Sequence, residues 1–117
     1  MKKIQFDVPE ARKIEINGHV FEILKSDAEV ISKAAEWQNR YAKLTNIGST
    51  QDKDIQELMA AIESVVGYVD EMLGEGATYK ITNGTKLGIV NAVNLMSLIA
   101  QAVVEEYNDT VADNYGE

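Results

Sequence analysis

The sequence predicts an α+β fold: an N-terminal β-strand and β-hairpin followed by three amphipathic α-helices, the third of them central. Three observations carry this expectation. Asn17-Gly18 stands between two alternating apolar segments, the strongest short-range signal for a hairpin. Two later segments repeat apolar residues at helical spacing. Finally, Leu87–Val104 holds no charged residue in a chain that is 26% charged. A helix so apolar around its circumference must be covered on several sides.

The elements follow in order. Ile4, Phe6 and Val8 alternate with Lys3, Gln5 and Asp7, the period of a half-buried strand, and Pro9 ends it or places it at an edge. Asn-Gly then supplies the positive φ angles of a type I′ turn, which pairs Ile16 with His19, Glu15 with Val20 and Ile14 with Phe21. Ile14, Ile16, Phe21 and Ile23 share one face, with Glu15 and Glu22 on the other. Ser26 and Glu29 form a capping-box pattern, and Val30, Ala34, Trp37, Tyr41 and Leu44 carry a first helix over about 27–45. Asn46–Thr50 is a stop followed by a fresh cap. The second helix carries a narrow, regular stripe from Ile55 through Leu58, Met59, Ile62, Val65, Val66 and Val69 to Met72 and Leu73, and Gly74 suits its C-terminal end. A loop with a short extended piece at Tyr79–Thr82 leads to a turn at Asn83-Gly84-Thr85. The third helix then runs from about 86 to 108, with fraying beyond. The whole is one domain, 1–117, divided into a strand and hairpin (1–25), a helical part (26–112) and a frayed tail (113–117).

Charge and composition exclude several functions. The net charge is −8, from 19 acidic and 11 basic residues. Nucleic-acid binding needs Lys and Arg to displace counterions, so this balance argues against it, and equally against an anionic membrane surface. Acids concentrate in 49–77, where Lys53 is the sole base, and in 105–117, which has none. There are no cysteines, which removes disulfides and thiolate ligands and fits a reducing cytoplasm. The N-terminus lacks the apolar core of a signal peptide. Asn91, Asn94, Ser97 and Gln101 count against reading 87–104 as a membrane span, because amides are costly in lipid.

No constellation of catalytic or cofactor-binding residues emerges. His19 is the only histidine and lacks the spacing of a metal site, so no metal is expected. Gly84-Thr-Lys-Leu-Gly88 lacks the Gly-Lys-Ser/Thr ending of a phosphate-binding loop. Asp52-Lys53-Asp54 lacks the later glycine and glutamate of a calcium loop. Adjacent carboxylates such as Asp70–Glu71 and Glu105–Glu106 diverge on a helix. No cofactor is expected, and the chain reads as a non-enzyme. Asn91, Asn94, Ser97 and Gln101 make an uncharged polar stripe on the third helix. The stripe is either ordinary solvated surface or a protein interface where amides bond across to a second helix.

The hairpin Lys13-Ile-Glu-Ile-Asn-Gly-His-Val-Phe-Glu-Ile, followed by amphipathic helices in a small acidic chain, resembles the tail assembly chaperones and related small tail proteins of tailed bacteriophages. The resemblance is one of architecture. It implies a non-catalytic helper in the bacterial host cytoplasm that binds the tape-measure protein, meets the tail-tube subunit and self-associates into a homo-oligomer. The alternative is an acidic DNA mimic or inhibitor, in which the acids of 51–75 bind a basic protein surface.

Overall fold

The computed structural model describes residues 1–44 and 52–115. A two-stranded antiparallel hairpin, β1 (Lys13–Ile16) and β2 (His19–Glu22), leads into four helices among these residues. They are α1 (Asp27–Leu44), α2 (Asp52–Leu73), α3 (Ala77–Thr82) and α4 (Ile89–Tyr115). The fold is α+β, as its sequence predicts.

The hairpin forms in the expected register, Ile16 opposite His19, Glu15 opposite Val20 and Ile14 opposite Phe21. Its turn places Asn17 at φ 53° and Gly18 at φ 83°, the left-handed pair that Asn-Gly tolerates best. Phe21 and Ile23 are buried and Ile14 and Ile16 half-buried against the core, while Glu15 and Glu22 face water. Two hydrogen bonds fasten the hairpin to the helices. Asn17 Nδ2 donates to the Ile81 carbonyl (3.0 Å), and the Leu24 N–H donates to the Met72 carbonyl (2.7 Å).

The strand expected at Ile4–Val8 does not form. Arg12 alone of the first twelve residues continues the hairpin, its carbonyl accepting from the Ile23 N–H. No strand forms at 4–8 among the described residues, and Ile4, Phe6 and Val8 are 92%, 70% and 83% exposed. Alternation marks which side chains share a face, but a strand also needs a neighbour for its main-chain groups. No such neighbour stands beside it among the described residues.

The helices α1 and α2 start and stop close to expectation. The Ser26 hydroxyl accepts from the Glu29 N–H (3.2 Å), one half of the capping box. The other half is replaced, because the Glu29 carboxylate instead accepts from the Tyr68 hydroxyl (3.2 Å) and lies 4.0 Å from the Lys25 ammonium. Gly74, at φ 109°, ends α2 and donates its N–H to the Asp70 carbonyl. The break expected at Asn46–Thr50 lies outside the described residues.

Two segments differ from expectation. The extended piece at Tyr79–Thr82 is instead part of the helix α3, bracketed by Gly76 and Asn83 in the left-handed region. Ala77 and Ile81, four apart and both buried, define its inner face. Asn83 therefore ends α3, at the start of the expected turn. α4 starts later, at Ile89, and continues to Tyr115 beyond the expected 108, so part of the expected tail is helical. Once the packed turns exist, each added residue gains one i→i−4 bond, and that carries the helix onward.

α4 is the central helix in the sense expected. It packs against both α1 and α2, which touch each other less than either touches α4. Ala92, Met96, Ile99 and Val103 lie at 1% exposure or less, against a core of Val30, Val65, Val69 and Met72 buried as deeply. The molecule is elongated, 64 × 34 × 28 Å. Its radius of gyration of 17.5 Å compares with the roughly 13 Å of a compact domain near this size. The exposed N-terminal arm and the all but uncovered turns of α4 beyond Val104 suit that shape.

Candidate functional site

The principal apolar concavity is a groove of about 570 Å³ between α2, α3 and the turn leading into α4. Met59, Ile62 and Val66 form one wall, and Tyr79 and Leu87 the other. These positions follow from local sequence. Met59, Ile62 and Val66 step by three and four along α2, so they line one stripe of that helix. Gly84, at φ 82°, turns the chain back so closely that a Cβ there would lie 3.2 Å from the Tyr79 ring. Met59 is 57% and Tyr79 71% exposed, so two large side chains that could pack on something face water.

The charged groups of the groove are few, beside three threonines, Thr78, Thr82 and Thr85. Glu63 and Asp70 come from α2, and Lys86 from the turn. Asp70 already has a structural task. Its Oδ1 accepts from the Thr78 N–H at 2.8 Å, and so caps α3 from a neighbouring helix. Gly76 precedes α3 and offers no side chain of its own, so the carboxylate of α2 substitutes for one.

The polar stripe of α4 behaves differently from an embedded contact. Asn91, Asn94 and Gln101 are exposed, and Ser97 is half-buried. The Ser97 hydroxyl accepts from Gln38 Nε2 of α1 (2.9 Å), and Gln101 Nε2 donates to Glu105 (3.5 Å). The stripe thus borders α1 at one residue and otherwise meets solvent, in company with the exposed side chains of Val90 and Leu98. By length and composition the stretch Ile89–Asp113 could also cross a membrane. Here its Ala92, Met96, Ile99 and Val103 are occupied by the core.

A second concavity of about 440 Å³ lies between α1 and α2. Its charges are largely matched within it. Lys33 lies 3.6 Å from Glu36 and 5.8 Å from the Tyr68 ring centroid, and Arg40 stacks over Trp37 at 4.4 Å. Burial, reinforced by the neighbouring Glu29 carboxylate, pushes the Tyr68 hydroxyl well above its ordinary range. A phenol held neutral is a hydrogen-bond donor and not a base. His19 is exposed beside the hairpin turn, its ring 6.3 Å from Phe21. Among the described residues, no three His, Asp or Glu side chains stand together as a metal site would require.

A coat for a helical partner calls for an apolar groove, which the sequence places between its second and third predicted helices. The groove found lies between α2, α3 and the turn into α4, so the part played by α3 is what the sequence did not show. One signal for the groove existed: the apolar stripe of α2 extends to Ile55 and Met59, further than its neighbours cover. The other wall depended on α3, which periodicity could not reveal in six residues. Fold and groove together define a small α+β domain with an exposed apolar recess. No protein-family model, curated protein or solved structure matches the chain.

Proposed function

We propose that this chain is a non-enzymatic protein-binding module whose groove receives the apolar face of a partner helix. One observation supports the reading: Met59 and Tyr79 stand exposed on facing walls above half-buried Ile62, Val66 and Leu87. An amphipathic helix docks into such a trough through residues at i, i+3 or i+4 and i+7. In the setting suggested by the architectural resemblance, the partner is the tape-measure protein of a bacteriophage tail. The chain then acts as a tail assembly chaperone in the host cytoplasm that also self-associates. A net charge of −8 keeps such a coat soluble. The acidic-mimic reading is weakened by Asp70, whose carboxylate is committed to α3.

The test is a fluorescence-anisotropy titration of tape-measure-derived helical peptides onto the purified chain and its Met59→Glu variant. The expected result is binding that survives moderate salt and weakens about ten-fold or more in the variant. Absence of binding, or affinity indifferent to Met59→Glu, overturns the proposal. Binding abolished by moderate salt supports the acidic mimic in its place.

A further inference from the structure

Of the hairpin's two edges, that of β2 is held to α2 through Leu24, just beyond its end, and that of β1 is held to nothing among the described residues. The Ile23 N–H donates to the Arg12 carbonyl, and the register pairs Ile14 with Phe21 and Ile16 with His19. In an antiparallel ladder the bonded pairs alternate, so residues 12, 14 and 16 turn their main-chain groups inward, toward β2. Lys13 and Glu15 therefore turn theirs outward. On the opposite edge the outward N–H of Leu24 is taken up by Met72 of α2. No described residue takes up the outward groups of Lys13 and Glu15.

The same chain carries an unpaired segment with strand periodicity. Ile4, Phe6 and Val8 are all exposed, and Lys3, Gln5 and Asp7 alternate with them. We infer that the N-terminal arm of one copy adds as a strand to the open β1 edge of a second copy, reciprocally about a two-fold axis. Strand addition to a free edge is an established mode of peptide recognition, and reciprocal exchange of an identical element closes a dimer.

Parity supports this occupant. If odd-numbered arm residues face the outward groups of Lys13 and Glu15, every even-numbered arm residue falls on the side of Ile14 and Ile16. Those two are only half-buried, so Ile4 and Phe6 would extend an apolar face that the hairpin leaves incomplete. Charge agrees as well. Among the registers of this parity, two set opposite charges across from each other. One sets Asp7 opposite Lys13; the other, two residues along, sets Lys3 opposite Glu15. Pro9, which has no N–H to donate, ends the added strand in either case. Up to Val8 the arm holds two lysines against one aspartate, in a chain whose net charge is −8. Donating it brings positive charge to an acidic partner. This inference deepens the self-association in the proposed function and does not depend on the α2–α3 groove.

The chain contains no cysteine, so introduced thiols report without ambiguity. We would measure mass by sedimentation equilibrium from about 5 to 200 µM for the full chain, Phe6→Asp and Glu15→Pro. The proline removes only an outward N–H, and Phe6 touches no core, so circular dichroism should show both variants folded. The expected result is a dimer for the native sequence and a dissociation constant about ten-fold or more higher in each variant. Oxidation of Gln5→Cys/Glu15→Cys or Gln5→Cys/Lys13→Cys should then give a covalent dimer, the better-linked pair identifying the register. A monomer throughout, a cross-link closed within one chain, or a dimer indifferent to Phe6→Asp overturns the inference. In the last case self-association survives by another surface, such as Asn94 and Gln101. Peptide binding at the groove, measured on the same Phe6→Asp sample, reports the other proposal separately.

Discussion

Asp70 offers the sharpest test of how the groove is held together. Its Oδ1 accepts the Thr78 N–H at 2.8 Å, and Thr78 is 7% exposed, so water cannot easily replace the acceptor. Asp70→Ala leaves a buried N–H without a partner, which costs about 1–3 kcal/mol. Loss of a helix N-cap acceptor alone costs about 1 kcal/mol. We therefore expect a loss of roughly 2 kcal/mol, seen in chemical denaturation followed by circular dichroism. At about 3–6 °C per kcal/mol for a chain near this size, the melting temperature should fall by roughly 6–12 °C. Asp70→Asn keeps an acceptor in place and should lose less than about half as much. Because Thr78 and Tyr79 line the groove, the alanine variant should also bind the helical peptide more weakly, and the asparagine variant close to normally. Equal destabilisation by both substitutions would show that charge and not acceptance matters. No destabilisation by alanine would refute the capping argument outright.

Other perturbations have equally definite outcomes. Met96→Ala, at a fully buried position of α4, should cost about 2–5 kcal/mol, whereas Leu98→Ala, at a 64% exposed position, should stay within about 0.5 kcal/mol; denaturant midpoints distinguish them. Gly84→Ala forces a side chain into a left-handed backbone beside the Tyr79 ring and should cost about 1–2 kcal/mol while displacing Tyr79, read as weaker peptide binding. The raised Tyr68 hydroxyl implies a sign for alkaline stability. The unfolded chain loses that proton from about pH 10 and the folded chain only at higher pH, so stability falls as pH rises above 10. Tyr68→Phe should flatten that part of the profile; an unchanged alkaline slope would contradict the assignment.

What the sequence disclosed depended on whether a signal was local. The hairpin was legible to the residue because Asn17-Gly18 fixes the turn and the turn fixes the register. α1 and α2 were legible because their apolar rhythms persist for several turns. The arm at Ile4–Val8 misled because alternation specifies a face and leaves the neighbouring strand unspecified. α3 was missed because its six residues show a single i, i+4 apolar pair, Ala77 and Ile81. Of the candidate interface, Asn91, Asn94 and Gln101 lie on the surface of the single chain, which suits a solvated stripe and an interface alike, and what covers them is not encoded in their own spacing. The groove arises where two elements distant in sequence approach each other. No single periodicity contains it.

The two bonds that fasten the hairpin have a consequence for the order of assembly. Asn17 meets Ile81 across 64 residues of chain, and Leu24 meets Met72 across 48. Closing such loops costs entropy that only already-formed partners can offset. An isolated two-stranded hairpin is marginal in water, so β1 and β2 gain permanence only once the end of α2 and the whole of α3 are in place. The hairpin, although it precedes every helix in the sequence, would thus be among the last elements to settle. Refolding followed at the hairpin should lag behind refolding followed at the helices.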